Sequence, residues 1–303
     1  MRVHTVLVAF ALVWIGLCPR LPAQYADLAL PSFVPWTFTN WRVAQGVWSV
    51  PENWDNGLPS DWTYNVATID NGGVAWLTDL EATDCLRIGC NEGTSGTLQV
   101  LAGGDITSAA VIVGSHGTGS LAQADGRIVI QQRITVDQHG QTGTYGGGMI
   151  VGSTQSGYLL SGTGRLRVDR SLCIGWYDDG SFLQSGGVNE TKMLFLGHGQ
   201  TCQGTYCQTA GSLTVEEGTY IGHEGSGLFT QSGGTHQTGK LYLGYNGGDS
   251  GEYVLENGAT LTADYSTIAV RGTGIFVSFR QSCKIGIRGR KAAVHGKSSG
   301  GMT

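Results

Sequence analysis

The chain has 303 residues, of which fifty are glycine and six proline, and only 14% are charged. That composition excludes a mostly helical protein and an acidic disordered chain, and leaves glycine as punctuation between short strands. The formal net charge of −5 hides an asymmetry, because all 23 acidic residues lie between Asp27 and Asp264, where only nine Lys and Arg occur, whereas six basic residues and no acid follow Arg271. An acidic body of this kind argues against nucleic acid or an anionic membrane as the main partner.

Residues 1–23 read as an export signal: Arg2 and His4 precede an apolar run from Val6 to Leu17, and Leu21-Pro22-Ala23 supplies a small residue just before Gln24. The run is short for a membrane span, and no later segment is apolar for long enough to be one. The mature chain is therefore expected to be secreted or at the cell surface.

Residues 24–84 are chemically distinct. Six of the eight tryptophans, Trp36, Trp41, Trp48, Trp54, Trp62 and Trp76, crowd into this segment. A stacked-repeat protein exposes an open core at its end, so a capping function is expected here, with a sugar-stacking platform formed by Trp48, Trp54 and Trp62 as the alternative.

From residue 85 to 272 one unit repeats. A glycine closing a short apolar stretch recurs at Gly89, Gly114, Gly152, Gly175, Gly197, Gly222 and Gly244, and a second glycine follows five or seven residues later each time. The spacing is 22 to 25 residues, apart from one gap of 38 that is read as a shortened copy between Ile134 and Gly148. Such a period suits one coil of a parallel β-helix with three short faces, since a propeller blade needs roughly 40 to 45 residues. Eight to nine coils rising about 4.8 Å each give a rod roughly 40 Å long.

Two residues after each second glycine stand Leu98, Leu121, Leu159, Phe182, Tyr206, Phe229 and Tyr253, which are predicted to form one inward column. Two positions further on, Gln123, Gln184, Gln208 and Gln231 fall on the same face, and stacked amides of this kind are expected to bond one another in a ladder. Residues 273–303 continue no column and form a basic tail, read as disordered or frame-shifted.

The pattern Gly46-Val47-Trp48-Ser49, Asn53-Trp54-Asp55-Asn56-Gly57-Leu58-Pro59 and Ala67-Thr68-Ile69-Asp70, trailed by glycine-paired repeats, resembles that of large secreted bacterial β-solenoid proteins of the autotransporter-passenger-like and PEP-CTERM-type extracellular repeat families. The likeness runs from Trp41 to Arg271. It implies a right-handed parallel β-helix at the cell surface or in the surrounding matrix, with a structural or adhesive role and cell-surface polysaccharide or protein as partner. The chain has no Pro-Glu-Pro motif or C-terminal apolar anchor to match that family's sorting signal.

Parallel β-helices also carry polysaccharide hydrolases and lyases, and Asp178, Asp179 and His198 are the residues that could serve such chemistry. Glycoside hydrolysis requires two carboxylates facing one bond, whereas adjacent strand residues point to opposite sides, so both aspartates read better as turn residues before Gly180. His198 and His223 occupy equivalent turns and are expected to stack, with His116 in a third such turn, all as exposed turn residues. Metal binding needs three or four convergent ligands, so neither a metal nor any other cofactor is expected. Asn189-Glu190-Thr191 matches a glycosylation acceptor. The six cysteines beyond the leader are read as structural, buried or paired with one another. The sequence thus predicts a non-enzymatic extracellular scaffold.

Overall fold

The computed structural model describes residues 36–60, 64–136, 142–152, 155–278 and 284–287. They form a parallel β-solenoid of about nine turns with almost no helix, each complete turn contributing one strand to each of three lateral faces. The leader, Trp62 and much of the basic tail lie outside the described residues.

Face I starts at Thr37–Asn40 and Asn65–Ile69, continues through residues 85–88 and 110–113 to Gly148–Val151, and then through 171–174, 193–196, 219–221, 241–243 and 266–268. Face II runs through Gln45–Val47, Val74–Leu77, Ser95–Val100, Thr118–Gln123, Gly157–Leu160, residues 180–184 and 203–208, Ser226–Gln231, Ser250–Leu255 and Thr273–Ser278. Face III stacks residues 80–83, 105–108, Arg127–Ile130, 165–168, 188–191, 212–215, 235–238, 260–263 and Lys284–Ile287. Described strands on faces II and III therefore stay in register beyond Gly272, where the sequence repeat fades.

The paired glycines build the corner between faces I and II. Gly197 has φ +63°, and a Cβ there would lie 2.0 Å from the Ser226 carbonyl oxygen of the next coil. A Cβ on its mate Gly204 would lie 2.2 Å from the Ile174 oxygen of the coil before and 2.3 Å from the Gly197 nitrogen. Only glycine supplies both the left-handed backbone and the close approach, which is why the two recur together.

The long gap is not a shortened coil. Residues Gln132–Val136 and Thr142–Gly146 form an antiparallel hairpin inserted at the corner between faces III and I, and face I passes directly from 110–113 to Gly148–Val151. The inward column of face II also departs from expectation at one coil. Tyr158, not Leu159, registers with Leu121 and Phe182, because Ser156 rather than Gly157 takes the inward corner position. Leu159 consequently faces outward and is 39% exposed.

Within the core, Tyr158, Phe182, Tyr206, Phe229 and Tyr253 stack ring on ring at 4.6 to 4.7 Å. The buried glutamines register as expected but do not bond one another. Gln184 donates to the Gly187 and Ser212 carbonyls, and its Oε1 accepts the Tyr206 hydroxyl at 2.7 Å. Gln231 repeats this with Gly234, Thr260 and Tyr253. Backbone carbonyls near the face II–III corner offer fixed acceptors, so the amides satisfy themselves there and clamp each coil to the next. At the N-terminal end Trp41, Trp48 and Trp54 close the core, edge to face at 5.0 and 4.7 Å, with Trp54 Nε1 donating to the Trp48 carbonyl. The tryptophan-rich cap is thus present.

Candidate functional site

Over its middle coils the outer side of face I is apolar as well as its inner side, between Arg87 at one end of the column and Thr267 at the other. Ile112, Ile150, Cys173, Phe195, Tyr220 and Tyr242 stand in register there, and strands such as Leu194-Phe195-Leu196 lack the alternation of a half-exposed sheet. The turns after the anchor glycines fold back over this strip. Trp176, His198, His223 and Tyr245 cover it, forming a second hydrophobic layer outside the main core with Ile150, Cys173 and Phe195.

His198 and His223 do come together as expected, with their Nδ1 atoms 3.1 Å apart, but they are buried rather than exposed turn residues; His116 alone of the three is exposed. Trp176 abuts His198 edge-on at 4.5 Å, and Tyr245 stacks on His223 at 5.3 Å. Removal from water lowers the His198 pKa to about 3, with His223 adding a smaller repulsion, and lowers that of His223 to about 4. The pair is therefore neutral near pH 7, one Nδ1–H donating to the other Nδ1. Glu224 Oε1 stands 4.0 Å from His223 Nδ1, beyond hydrogen-bond reach.

Asp178 and Asp179 do not converge on a common point. Asp178 Oδ1 accepts the Asp179 N–H at 2.9 Å, and Asp179 Oδ1 accepts the Gln203 N–H of the following coil at 2.6 Å. Asp70 does the same for Cys90 N–H at 2.8 Å. Asp179 and Asp70 thus tie one turn to the next, Asp178 closes its own turn, and the His198 ring is turned into the aromatic layer. Trp48 and Trp54 are buried in the cap, so neither offers a ring face to a ligand. Asn189 is buried as well, its amide donating to the Tyr206 hydroxyl at 3.0 Å, which removes it from any glycosylating enzyme. Cys85, Cys90, Cys173, Cys202 and Cys207 are all free thiols, and only Cys207 is not buried. No group of three or more His, Cys, Asp or Glu among the described residues is arranged to hold a metal ion.

A groove of about 460 Å³ lies elsewhere, on the outside of face III. Its charged lining is Arg127, Arg165, Arg167, Asp169 and Glu190, with Thr107 and Gln131 as neutral polar neighbours and Val129 and Val188 in the floor. Arg127 and Arg165 sit directly opposite each other on adjacent strands, a like-charge pairing that a sheet ordinarily avoids. Arg127 is tied to Asp105 at 2.9 Å and Arg167 to Asp169 at 3.0 Å, while Arg165 has no carboxylate partner among the described residues. Sequence reading missed this site. Five of the nine cations of the acidic body fall between Arg127 and Arg170, a concentration that counting along the chain would have exposed.

No protein-family model, no curated protein and no solved structure matches this chain.

Proposed function

We propose that this chain is an exported structural or adhesive β-solenoid of the autotransporter-passenger-like kind, which holds a surface or matrix polysaccharide without turning it over. The observation that carries the reading is the face III groove. Parallel strands fix three guanidinium groups, two carboxylates and neutral hydrogen-bonding groups on a rigid floor, an arrangement suited to the hydroxyls and carboxylates of a glycan. The aspartates that could have served hydrolysis hold backbone N–H groups, and this supports binding over catalysis.

The test is a panel of insoluble and soluble polysaccharides, scored for retention of the protein and for new chain ends. Retention that falls at least tenfold in the Arg165→Ala/Arg167→Ala variant, with no new chain ends, is the expected result. Cleavage abolished by Asp178→Asn/Asp179→Asn would overturn the reading and make the chain an enzyme. Failure to retain any polysaccharide would overturn the adhesive part.

A further inference from the structure

Face II differs from the other two in its outward chemistry. Its outward positions run through Val74 and Trp76, Thr97 and Gln99, Ser120 and Ala122, Leu159, Ser181 and Leu183, Thr205 and Cys207, Leu228 and Thr230, then Val254 and Ile275, and Glu252 is the sole charge among them. Face III carries Asp105, Arg127, Arg165, Arg167 and Glu190 in the corresponding outward places. A chain with 23 acidic residues has thus kept one whole lateral face almost free of them.

Leu159 and Leu183 are directly opposite each other on the two middle strands, 39% and 40% exposed, and the strands next to them carry Ser120, Ala122, Thr205 and Cys207. Trp76, Leu228, Val254 and Ile275, the last 45% exposed, extend the apolar surface toward both ends. Depletion of charge over an apolar and neutral polar surface is the composition of the core of a protein interface. Ten described strands of about five residues each give a flat surface of about 800 Å², the share each partner contributes to an interface of standard size. A flat neutral glycan would call for exposed aromatic rings, and Trp76 alone of the residues named above is aromatic.

We propose that face II is the contact between two copies of this chain, related by a twofold axis passing between the strand Gly157–Leu160 and residues 180–184. That axis lays Leu159 on Leu183 of the second copy and the reverse, and it is isologous, so the same patch serves both molecules. It also lets two acidic bodies meet through faces that carry one charge each, Glu252, which the axis sets near the rim opposite Val74 of the second copy. The geometry makes a specific demand: three coils separate Cys207 from its own symmetry mate, whereas Ala122 lies opposite Cys207 of the second copy.

The experiment is sedimentation velocity of the full chain between about 1 and 100 µM, with crosslinking of a Cys18→Ser/Cys283→Ser background, and of the same background with Ala122→Cys, by a bismaleimide spanning about 10 Å, the separation of two packed sheets. Each crosslink adds one thiol across each of the two maleimide double bonds, with no leaving group. The expected outcome is a dimer, no crosslink in the background, a crosslinked dimer with Ala122→Cys, and loss of that crosslink when Cys207→Ser is added. Leu159→Lys/Leu183→Lys, on side chains already exposed, should give a folded monomer by circular dichroism. A monomer at 100 µM overturns the proposal, as does a dimer that survives the lysine substitutions or fails to crosslink at position 122. Retention of a monomer on crystalline neutral glycan would overturn it in favour of a carbohydrate-binding face, and polysaccharide binding at the arginine groove is unaffected by any of these outcomes.

Discussion

Replacing Phe229 with Tyr is expected to stabilise the rod. In the face II core each glutamine Oε1 faces the aromatic ring of the next coil: Tyr158 donates to Gln123, Tyr206 to Gln184 and Tyr253 to Gln231. Gln208 faces Phe229, and its Oε1 is buried with no hydrogen-bond partner. The ring of Phe229 stacks within 4.7 Å and 7° of Tyr206 and within 4.7 Å and 4° of Tyr253, so a hydroxyl added there inherits a position about 2.7 Å from Gln208 Oε1, as in its neighbours. A net hydrogen bond contributes about 1 kcal/mol, and relieving an orphaned acceptor adds to it. One cost opposes this. The Tyr206 and Tyr253 hydroxyls also meet Asn189 and His236, whereas Phe229 faces Leu213 in that column, so the new hydroxyl gains one partner rather than two. The expected balance is about 1 kcal/mol of stabilisation, or about 2 to 4 °C in melting temperature for a chain of this size. Because coils of a solenoid feel mainly their neighbours, hydrogen exchange over residues 203–231 should slow more than at either end. Tyr206→Phe is the mirror test, expected to destabilise by about 1 to 3 kcal/mol because Gln184 Oε1 and the Asn189 amide lose a partner together. A destabilised Phe229→Tyr with a harmless Tyr206→Phe would refute the reasoning, showing that these rings are placed by packing alone.

Gly197→Ala forces a Cβ to 2.0 Å from the Ser226 oxygen on a left-handed backbone and should destabilise by more than about 3 kcal/mol or prevent folding, whereas Gly247→Ala, with nothing within 4 Å, should stay within about 0.5 kcal/mol in urea unfolding. Trp48→Ala, emptying a fully buried site in the cap, is expected to cost about 3 to 5 kcal/mol and to accelerate exchange first in the N-terminal coils. Acid should weaken the fold: His198, His223 and His236 have native pKa values pushed by burial to about 3, 4 and 3, against about 6.5 when unfolded. Their contribution is intact above pH 6.5 and is lost as pH falls toward 4, since only the unfolded chain takes up these protons. Glu81, raised by burial and then Asp79 to about 7, works in the opposite sense with one proton between about pH 7 and 4.5. Burial also raises the Glu224 and Asp249 carboxyls, which act in the same sense as Glu81. His236→Leu, matching Leu213 and Leu261 in its column, should lower the proton uptake on unfolding near pH 5 by about one; an unchanged slope would show that His236 is not a buried neutral group.

The architecture was legible because every coil repeats the same demands. A corner that only glycine can turn and an inward position that must be large recur at coil spacing, and both survive in Ile174-Gly175 and Ile221-Gly222 almost letter for letter. Errors arose where a coil met the same demand with a different residue. Ser156 standing where its neighbours have glycine shifted the inferred column from Tyr158 to Leu159, since a slip of one residue reverses the side of a strand. The hairpin strands Gln132–Val136 and Thr142–Gly146 imitated a short coil because two brief strands with glycine nearby have the same composition as one repeat. The burial of His198 and His223 had a readable signal: Met149-Ile150-Val151, Leu172-Cys173-Ile174 and Leu194-Phe195-Leu196 are continuous apolar runs, which mark a strand covered on both sides.

The site residues were harder for a reason built into stacked repeats. What recurs is what holds the coils together, so a search for periodicity selects inward positions and corners and discards the outward ones. Yet the outward positions separate the three faces: an apolar strip sealed by histidines and aromatics on face I, an uncharged plane on face II and a cluster of arginines and acids on face III. Asp178 and Asp179 attracted notice as a conspicuous pair in one turn, but their carboxylates are taken up by the nearest N–H groups, one in the same turn and one in the following coil. Arg127 and Arg165 are 38 positions apart and look unrelated in the chain, until the inserted hairpin is removed from the count and they become direct neighbours across adjacent strands. In a solenoid the register has to be known before a surface can be read.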